Sequence, residues 1–420
     1  MHVLQLIDGA GAVAAVTTTP IWTNGTDLPP DRTQLIVDLG ASSLSLNLLS
    51  IRDGLAHVLA TSSHDDISGN QIDDKLIKFF AKDFTKKTKT PLSVCPAKSP
   101  GEKRAEAKLR LAVEHTKRTL AASPGAATCS VESLIDGLDF TGSINRMRFD
   151  MEARPIYADV ASKVVELLAE AGVDASYVDE IVYVGGTTCL SGLDEHIGIE
   201  VGFSDGIKTP FSLGTIVGGG PGDPTEILAR GCALQAELLY SLRLAEDDLR
   251  KAFEKGAPWS EVSVSGRTVG LLFPGSSLNG GDYFGLGGTW VPLLLKDTAL
   301  PARRIIAFDV DLTEDSKKIG LEVWEVSEGT RIEKVPIMVE NVGDDEEDED
   351  EELQEEDVKY RTVKKELLLG SIGFEAQKGK KKKGVWSTKV EARLIAGKDG
   401  HIHVTVKEVG PGGAVGELVA

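Results

Sequence analysis

The sequence of 420 residues has little cysteine, few aromatic residues and no excess of positive charge. Its four cysteines lie far apart and include no C-x-x-C pair: Cys95, Cys129, Cys189 and Cys232. Neither a zinc knuckle nor a thiol redox motif is therefore indicated, and scattered free thiols are typical of a reducing compartment such as the cytoplasm.

Long apolar segments are also missing. No run of about 18 apolar residues occurs, which argues against a membrane-spanning helix. The apolar opening over Val3–Val16 resembles the core of a signal peptide. However, no Lys or Arg precedes it and Asp8 interrupts it, so we do not expect secretion.

Acidic residues dominate the charge. The 46 Lys and Arg against 65 Asp and Glu give a net charge of −19, which argues against nucleic acid as a main partner unless basic groups are segregated. Residues 1–240 carry 21 bases and 31 acids, and residues 241–420 carry 25 and 34. Twelve of the latter acids fall within 344–357, which we expect to be a disordered loop. Direct nucleic-acid contact is thus not expected.

The first 240 residues alternate strand-like and helix-like segments, a pattern typical of an α/β domain. Apolar residues at helical spacing predict the helices, and short β-branched runs bounded by turn residues predict the strands. The predicted elements are a hairpin with its tip at 38–42, an amphipathic helix over Lys103–Ala122, a second helix ending at Gly172, and a strand, Ile181–Val184, that runs into a glycine turn.

Residues 263–420 show short segments in which apolar and polar residues alternate. This period of two is clear over Ile306–Leu312 and Lys389–Leu394, and the turn Gly397–Gly400 predicts a hairpin after the second of these. An antiparallel β-sandwich is the expected product. The charged stretch 241–262 between the two parts, which includes a Gly-Ala-Pro sequence, is expected to be a linker.

Two glycine turns are candidate phosphate sites. Asp38 and Gly40 lie at the tip of the predicted hairpin, and Gly185 and Gly186 follow the predicted strand. Without a side chain, a glycine lets backbone N–H groups approach a phosphate closely. Glycine turns are common, however, so each turn alone also fits a plain connection.

Charged and metal-binding side chains give weaker signals. The helix over Lys103–Ala122 carries Glu114, Lys117 and Arg118 on one face, which fits a solvated surface as well as a ligand site. His401 and His403 share a strand face but have no third ligand nearby in the sequence, so no metal site is predicted.

Taken in order, these segments resemble the heat-shock protein 70 (Hsp70) family, whose nucleotide-binding domain has an actin-like fold. The most specific stretch, Ser133–Phe149, looks like the family's SL-x-x-G-x-DF-x-x-SI-x-R-x-RF segment. Four further segments are similar to the second phosphate motif, the adenosine-contacting helix, the glycine turn beside adenosine and the closing helix, namely 34–54, 114–118, 182–190 and 223–239.

The resemblance implies the domain plan. Residues 1–240 would form a partial, actin-like nucleotide-binding domain, 241–262 a linker, and 263–420 a substrate-binding-type β-sandwich with its acidic loop at 344–357. The family's first lobe and helical lid would lie outside this sequence. The implied cofactor is ATP, contacted by Asp38, Gly40, Glu114, Lys117, Arg118, Gly185 and Gly186.

Departures from the family pattern imply that ATP is bound without hydrolysis. Ser45 and His64 stand where acidic residues of active members help to hold the metal shell. Cys189 replaces an arginine that stacks on adenine, and Ala121 replaces a serine that hydrogen-bonds the base. Without those acids, magnesium and its waters are not placed around the γ-phosphate, so no catalytic residue and no metal ligand are predicted.

Degenerate hydrolysis motifs, a polar linker and the absence of a lid make the chain most similar to the atypical, Ssz-type members of the family. Those members belong to the fungal ribosome-associated complex and pair with the J-domain protein zuotin. The resemblance therefore implies a cytoplasmic, non-hydrolysing subunit that meets a J-domain partner, the ribosome and nascent polypeptide. The alternative is an active ATP-dependent peptide-binding chaperone. A small-molecule kinase is disfavoured because a β-sandwich has no part in its chemistry.

Overall fold

A computed structural model describes residues 3–22, 28–123, 125–212, 218, 220–242, 262–274, 285–312, 317–337, 354–382 and 385–420. The chain divides into two compact units, Met1–Leu244 and Ala245–Ala420. Most of the expected linker, residues 243–261, lies outside the described residues, as do residues 344–353 of the expected acidic loop. Within the described ranges, no helix is both long and apolar enough to cross a membrane.

The first unit combines helices with a mixed sheet. Its helices are α1 (Gly9–Thr17), α2 (Gly69–Thr88), α3 (Pro100–Ala122), α4 (Arg146–Ala171), α5 (Ser191–Val201) and α6 (Ile227–Leu242), with short 3-10 turns at Ala175–Tyr177 and Gly186–Cys189. Its strands are β1 (Arg32–Leu39), β2 (Leu44–Arg52), β3 (Leu55–His64), β4 (Ala126–Ile135), β5 (Leu138–Asn145) and β6 (Glu180–Val184). The sheet order is β3-β2-β1-β6, and β4 pairs with β5 separately.

Strand β1 lies inside the sheet and is covered on both faces. All of its residues except Asp38 are buried, which is why Leu35, Ile36 and Val37 are consecutive apolar residues rather than an alternation. It pairs antiparallel with β2 and parallel with β6, so Asp38 lies opposite Ser45 on one side and Val184 on the other. The predicted hairpin and the predicted strand before Gly185 are thus confirmed, and their turns lie at the same end of the sheet.

Helices cover the two faces of this sheet. On one face, Leu35 and Val37 join the larger core, which includes residues of α2, α3 and α4. On the other, Ile36 packs with Val13 of α1 and Ile227 of α6. The helical half of the apolar opening, from Ala10 to Val16, is therefore part of this second core, whereas Val3 and Leu6 before it are exposed.

The predicted helices are present with small shifts of their ends. Helix α3 begins at Pro100, where Ser99 and Glu102 form a capping box, and buries Leu109, Val113 and Leu120 among others. Helix α4 ends at Gly172, whose φ of 63° is the left-handed conformation that glycine adopts without strain. Helix α2 was not anticipated from the sequence.

The second unit is made of strands alone within its described residues. The strands are β7 (Thr268–Pro274), β8 (Gly288–Leu294), β9 (Ala302–Leu312), β10 (Lys318–Ile337), β11 (Gln354–Glu375), β12 (Lys380–Lys382), β13 (Val385–Ala396), β14 (Ile402–Glu408) and β15 (Val415–Val419). One sheet has the order β11-β10-β7-β8, and the other has β12-β13-β14-β15 with β9 paired to β13.

These two sheets share one apolar core, which includes Leu271 and Val323 from the first sheet and Val390 and Val404 from the second. The predicted antiparallel sandwich and the hairpin between β13 and β14 are therefore confirmed. Strand β11 begins at Gln354, so residues 354–357 of the expected acidic loop belong to a strand instead. They pair with the end of β10, whose backbone supplies hydrogen-bond partners that a sequence pattern does not show.

A buried ion pair fastens β1 to β6. Arg32 and Glu180 are 1% and 2% exposed, and their Nε and Oε2 atoms lie 2.9 Å apart. Glu180 also accepts hydrogen bonds from Trp22 Nε1 at 2.6 Å and from Gln34 Nε2 at 2.7 Å. Arg32 donates a further bond to the carbonyl oxygen of Thr17 at 2.6 Å. Both charges are thus surrounded by partners.

We expect Glu180→Gln to lower the free energy of unfolding by about 3–5 kcal/mol, because it leaves the Arg32 guanidinium buried without its counter-charge. The matched control is Glu166→Gln, which breaks a solvent-exposed pair with Lys163 on α4 and should cost about 0.5 kcal/mol or less. Urea denaturation of both variants is the measurement. Equal losses of unfolding free energy in the two variants would show that the buried pair stabilises the fold no more than the exposed pair does.

Candidate nucleotide site

The glycine turns meet at one end of the sheet. Because β1 and β6 are parallel neighbours, the turn after Asp38 and the turn at Gly185 emerge side by side. Gly185 has a φ of 90°, and a Cβ atom added there would lie 2.6 Å from the carbonyl oxygen of Leu39. Only glycine therefore allows the two turns to approach this closely.

Two of the backbone N–H groups that a phosphate would seek are already bonded within the protein. The N–H of Gly40 donates to the carbonyl oxygen of Ser43 at 2.9 Å, and that of Gly185 donates to the carbonyl oxygen of Pro224 at 2.9 Å. Gly186 differs, because it opens a 3-10 turn whose first N–H groups have no partner inside the turn. A Cβ atom added at Gly186 would have no described atom within 4 Å, so this is the open position of the turn.

The start of helix α2 supports the hairpin tip. The N–H of Gly69 donates to the carbonyl oxygen of Gly40 at 3.0 Å, and the N–H of Asn70 donates to that of Ala41 at 2.9 Å. Thr187 Oγ1 donates to the same oxygen of Gly40 at 3.4 Å. The first turn of α2 thereby joins the turns that follow β1 and β6.

Glu114, Lys117 and Arg118 form one charged cluster on α3. Lys117 Nζ lies 2.9 Å from Asp73 Oδ1 of α2 and 3.0 Å from Glu114 Oε2, while Arg118 Nε lies 2.9 Å from Glu114 Oε1. Burial acts to raise the pKa of Glu114, but the hydrogen bonds and charges of Lys117 and Arg118 outweigh it and lower that pKa. Burial raises the pKa of Asp73 despite the neighbouring Lys117. Asp73 lies one helical turn after Gly69, so α2 links this cluster to the glycine turns.

A cavity of about 240 Å³ opens beside Asp38. Its wall on β2 and β3 consists of hydroxyl and amide side chains, namely Ser45, Asn47, Thr61, Ser62 and Ser63. Ser45 Oγ and Ser63 Oγ are 3.5 Å apart. Asp8, the N-cap of α1, is the second carboxylate at the cavity, and burial raises the pKa of Asp38.

The remaining departures from the family pattern also have defined places. Cys189 is buried at the end of the 3-10 turn, where burial and the nearby charge of Asp223 raise its pKa to about 11, so the thiol stays neutral. Ala121 is half-buried near the end of α3. His64 is the last residue of β3 and pairs with Leu44 across the sheet. Neither Cys189 nor Ala121 carries the charge or the hydroxyl that the family resemblance implies at these positions.

The structure thus brings the candidate residues into two groups. Asp38, Gly40, Gly185 and Gly186 lie at the sheet end, and Glu114, Lys117 and Arg118 lie on α3. The sequence reasoning missed the residues of α2 that connect them, Gly69 and Asp73, although the S-x-x-Q pattern at Ser68–Gln71 signals a helix start. Among the described residues, no three His, Cys, Asp or Glu side chains are grouped as a metal site would need.

Comparison with known proteins finds one family. Residues 24–248 match the family described as Hsp70 protein. A heat shock protein 70 homolog of Schizosaccharomyces pombe is 29% identical over 356 residues, 83% of this chain and 56% of the relative. A ribosome-associated complex subunit of Saccharomyces cerevisiae, of the Ssz type, is 27% identical over 392 residues, 91% of this chain and 64% of the relative.

A third relative, a ribosome-associated molecular chaperone of Eremothecium gossypii, is 32% identical over 245 residues, which cover 58% of this chain and 37% of the relative. The chain spans about half the length of the curated relatives it matches. The family match nevertheless covers more than half of the chain, including both glycine turns and the charged cluster on α3. The chain therefore belongs to the Hsp70 family and contains an actin-like lobe and a β-sandwich.

Proposed function

We propose that this protein is a non-hydrolysing chaperone subunit that pairs with a J-domain co-chaperone at the ribosome in the cytoplasm and assists the folding of nascent polypeptides. The observation that carries the non-hydrolysing part of the proposal is the hydroxyl-lined wall of the cavity beside Asp38. Ser45 lies opposite Asp38 in the sheet register, and its hydroxyl faces that of Ser63 rather than a carboxylate.

That wall bears on hydrolysis because phosphoryl transfer is driven mainly by positioning and by charge neutralisation through magnesium. Magnesium prefers carboxylate and water oxygens in near-octahedral arrangement. A wall of serine, threonine and asparagine gives hydrogen bonds but no negative charge. Asp38 and Asp8 are the carboxylates at the cavity, and the wall across from Asp38 adds none, so we infer that the site binds a nucleotide without cleaving it.

The residues present fit ATP in part. Gly186 offers an open backbone position at the sheet end, and Lys117 lies on the helix that is linked to it through α2. The phosphate chain of a bound nucleotide would lie at Gly186, and its adenosine group would lie near Lys117. Lys117 is already neutralised by Asp73 and Glu114, so its contribution is to orient Glu114 rather than to add free positive charge.

The relatives' names support the ribosomal part of the proposal. Two of the three are described as ribosome-associated, and the match to the complex subunit extends over 91% of this chain. A J-domain partner is proposed from the resemblance to that subunit. Strand β15, which pairs with β14 at an edge of its sheet and exposes Val415 and Val419, offers backbone groups to which a partner strand could be added.

The second candidate is an active ATP-dependent peptide-binding chaperone. It is favoured by the retained glycine turns at the end of the sheet. It differs from the first candidate in predicting that ATP changes the affinity for peptide. Fluorescence polarisation with an extended apolar peptide, with and without ATP, separates the two, because an unchanged affinity removes the active chaperone.

We expect Gly186→Val to weaken ATP binding by about tenfold or more, because the added side chain occupies the open backbone position while meeting no described atom. The matched control is Gly206→Val, which is equally open but lies outside the candidate site. Titration of a fluorescent ATP analogue measures the affinity, and thermal melting checks that both variants fold. Unchanged affinity in Gly186→Val would remove this turn from the site.

We expect no ATP hydrolysis above the buffer rate, because the wall opposite Asp38 lacks the carboxylates that position magnesium. The measurement is phosphate release in a single turnover with protein in excess, using the full protein from its own cells. An active Hsp70 from the same cells is the control. Release at a comparable rate would overturn the non-hydrolysing assignment.

We expect ribosomes and a J-domain protein to co-elute when the tagged full protein is purified from its own cells at native salt. A parallel purification at high salt is the control, since it should remove contacts that rest on exposed charges. Elution without ribosomes and without a J-domain protein would contradict the proposed role and leave a general Hsp70 relative.

A further inference from the structure

An open groove of about 500 Å³ runs along the outer face of α2. We call it the basic groove, and define it by the cationic side chains that line it: Lys75, Lys78, Lys82, Lys86, Lys87 and Arg148. The opposite wall belongs to the end of β5 and the start of α4, and Phe79 is half-buried between the walls. This is a segregated basic surface in a chain of net charge −19.

The two acids that line the groove are already neutralised. Asp83 pairs with Lys87 at 2.7 Å, and Glu152 pairs with Arg148 at 2.6 Å. Just before the first two lysines, Asp74 lies 2.6 Å from Arg110 of α3 and so faces away from the groove. Once these pairs are counted, the groove keeps a positive charge from the other four lysines.

Those four lysines, Lys75, Lys78, Lys82 and Lys86, are exposed and have no carboxylate within ion-pair distance among the described residues. Like charges three or four residues apart on a helix repel each other, and of the four only Lys86 lies in the last turn, where the helix dipole favours a cation. Lys75, Lys78 and Lys82 therefore do not stabilise α2. A row of unpaired cations that the helix tolerates at a cost in stability points to a ligand of opposite charge.

The helix that carries the row is firmly held. Phe80 and Phe84 are fully buried, and their rings meet that of Phe140 of β5 edge to face at 6.0 and 5.9 Å. From Lys75 to Lys86 the helix rises about 16 Å at about 1.5 Å per residue. A B-form DNA strand advances about 3.4 Å per phosphate along its axis and an A-form RNA strand advances less, so the row spans at least about five phosphates.

We propose that the basic groove binds the phosphate backbone of structured RNA. A straight row of mobile point charges on a rigid helix suits a polyanion with regular spacing, and it needs no base-specific contact. A single small anion would instead require donors that converge on one point, whereas these ammonium groups are spread along three helical turns. Arg148 lies over the Phe79 ring at 5.6 Å, so that ring is covered and the contact is with phosphates rather than with stacked bases.

This inference deepens the proposed function, because ribosomal RNA would be the source of such a backbone at the ribosome. It also revises the expectation that direct nucleic-acid contact is absent, which rested on the net charge. Salt screens exposed charges that lie farther away than a Debye length of about 8 Å. The charges within the groove, rather than the net charge of the chain, therefore determine whether a polyanion binds there.

The test uses the full chain and a fluorescein-labelled RNA duplex of about 20 base pairs, long enough to exceed the roughly 16 base pairs that a dedicated duplex-binding domain spans. Anisotropy is measured between about 50 and 200 mM KCl.

The variant is Lys78→Glu with Lys82→Glu, and the matched control is Lys103→Glu with Arg104→Glu, two exposed cations on α3 outside the groove. Both pairs change the net charge equally. We expect the groove variant to bind about tenfold or more weakly, with a salt slope smaller by about 2, and the control to change less than about threefold.

Equal losses in the two variants, or no loss in either, would overturn the proposal and leave the row as a solvated face. An unlabelled acidic peptide of equal charge that displaces the duplex equally well would also overturn it, in favour of an acidic protein partner. Co-sedimentation with ribosomes separates this inference from the proposed function. If the groove variant sediments like the unchanged protein, only the groove fails; if the unchanged protein binds duplex but does not sediment, only the ribosomal role fails.

Discussion

The parallel pairing of β1 with β6 is the constraint on which the candidate site depends, and a buried ion pair fixes it. Glu180 at the start of β6 accepts hydrogen bonds from Trp22, Arg32 and Gln34, three residues from the segment leading into β1 and from β1 itself. With Gln34 opposite Glu180, Asp38 falls opposite Val184 and the next residue, Gly185, meets the carbonyl of Leu39. A slip of one residue would turn every side chain of β1 to the other face and separate the two turns.

Helix α2 then extends this arrangement to the charged cluster. Its first turn bonds the hairpin tip through Gly69 and Asn70, and Asp73 holds Lys117 on α3. Helix α2 therefore supports a glycine turn at its start and orients Glu114 through Lys117. It also presents a row of lysines on its outer face. Because those lysines make no ion pair with the cluster, changes in the row should leave the glycine turns in place.

The sequence was sufficient to predict the fold where one local pattern decides it. The hairpin, α3, α4 and the β13–β14 turn follow from apolar period, capping residues and glycine positions. Helix α2 was missed because its start is embedded in a polar stretch and its lysines mask the apolar face formed by Ile72, Leu76 and Phe80. The sequence also could not show that the N–H groups of Gly40 and Gly185 are already hydrogen-bonded, because tertiary structure determines the carbonyl groups that accept these bonds.

The hydroxyl wall opposite Asp38 also explains how this carboxyl can be half-buried. Burial alone raises the pKa of Asp38, which means that ionisation costs more in the folded chain than in water. A second carboxylate at Ser45, directly opposite in the sheet, would add like-charge repulsion that a bound cation would have to offset. With serine there, the sheet end tolerates Asp38 without a cation. Serine at position 45 therefore lets the end of the sheet keep its structure without a bound cation.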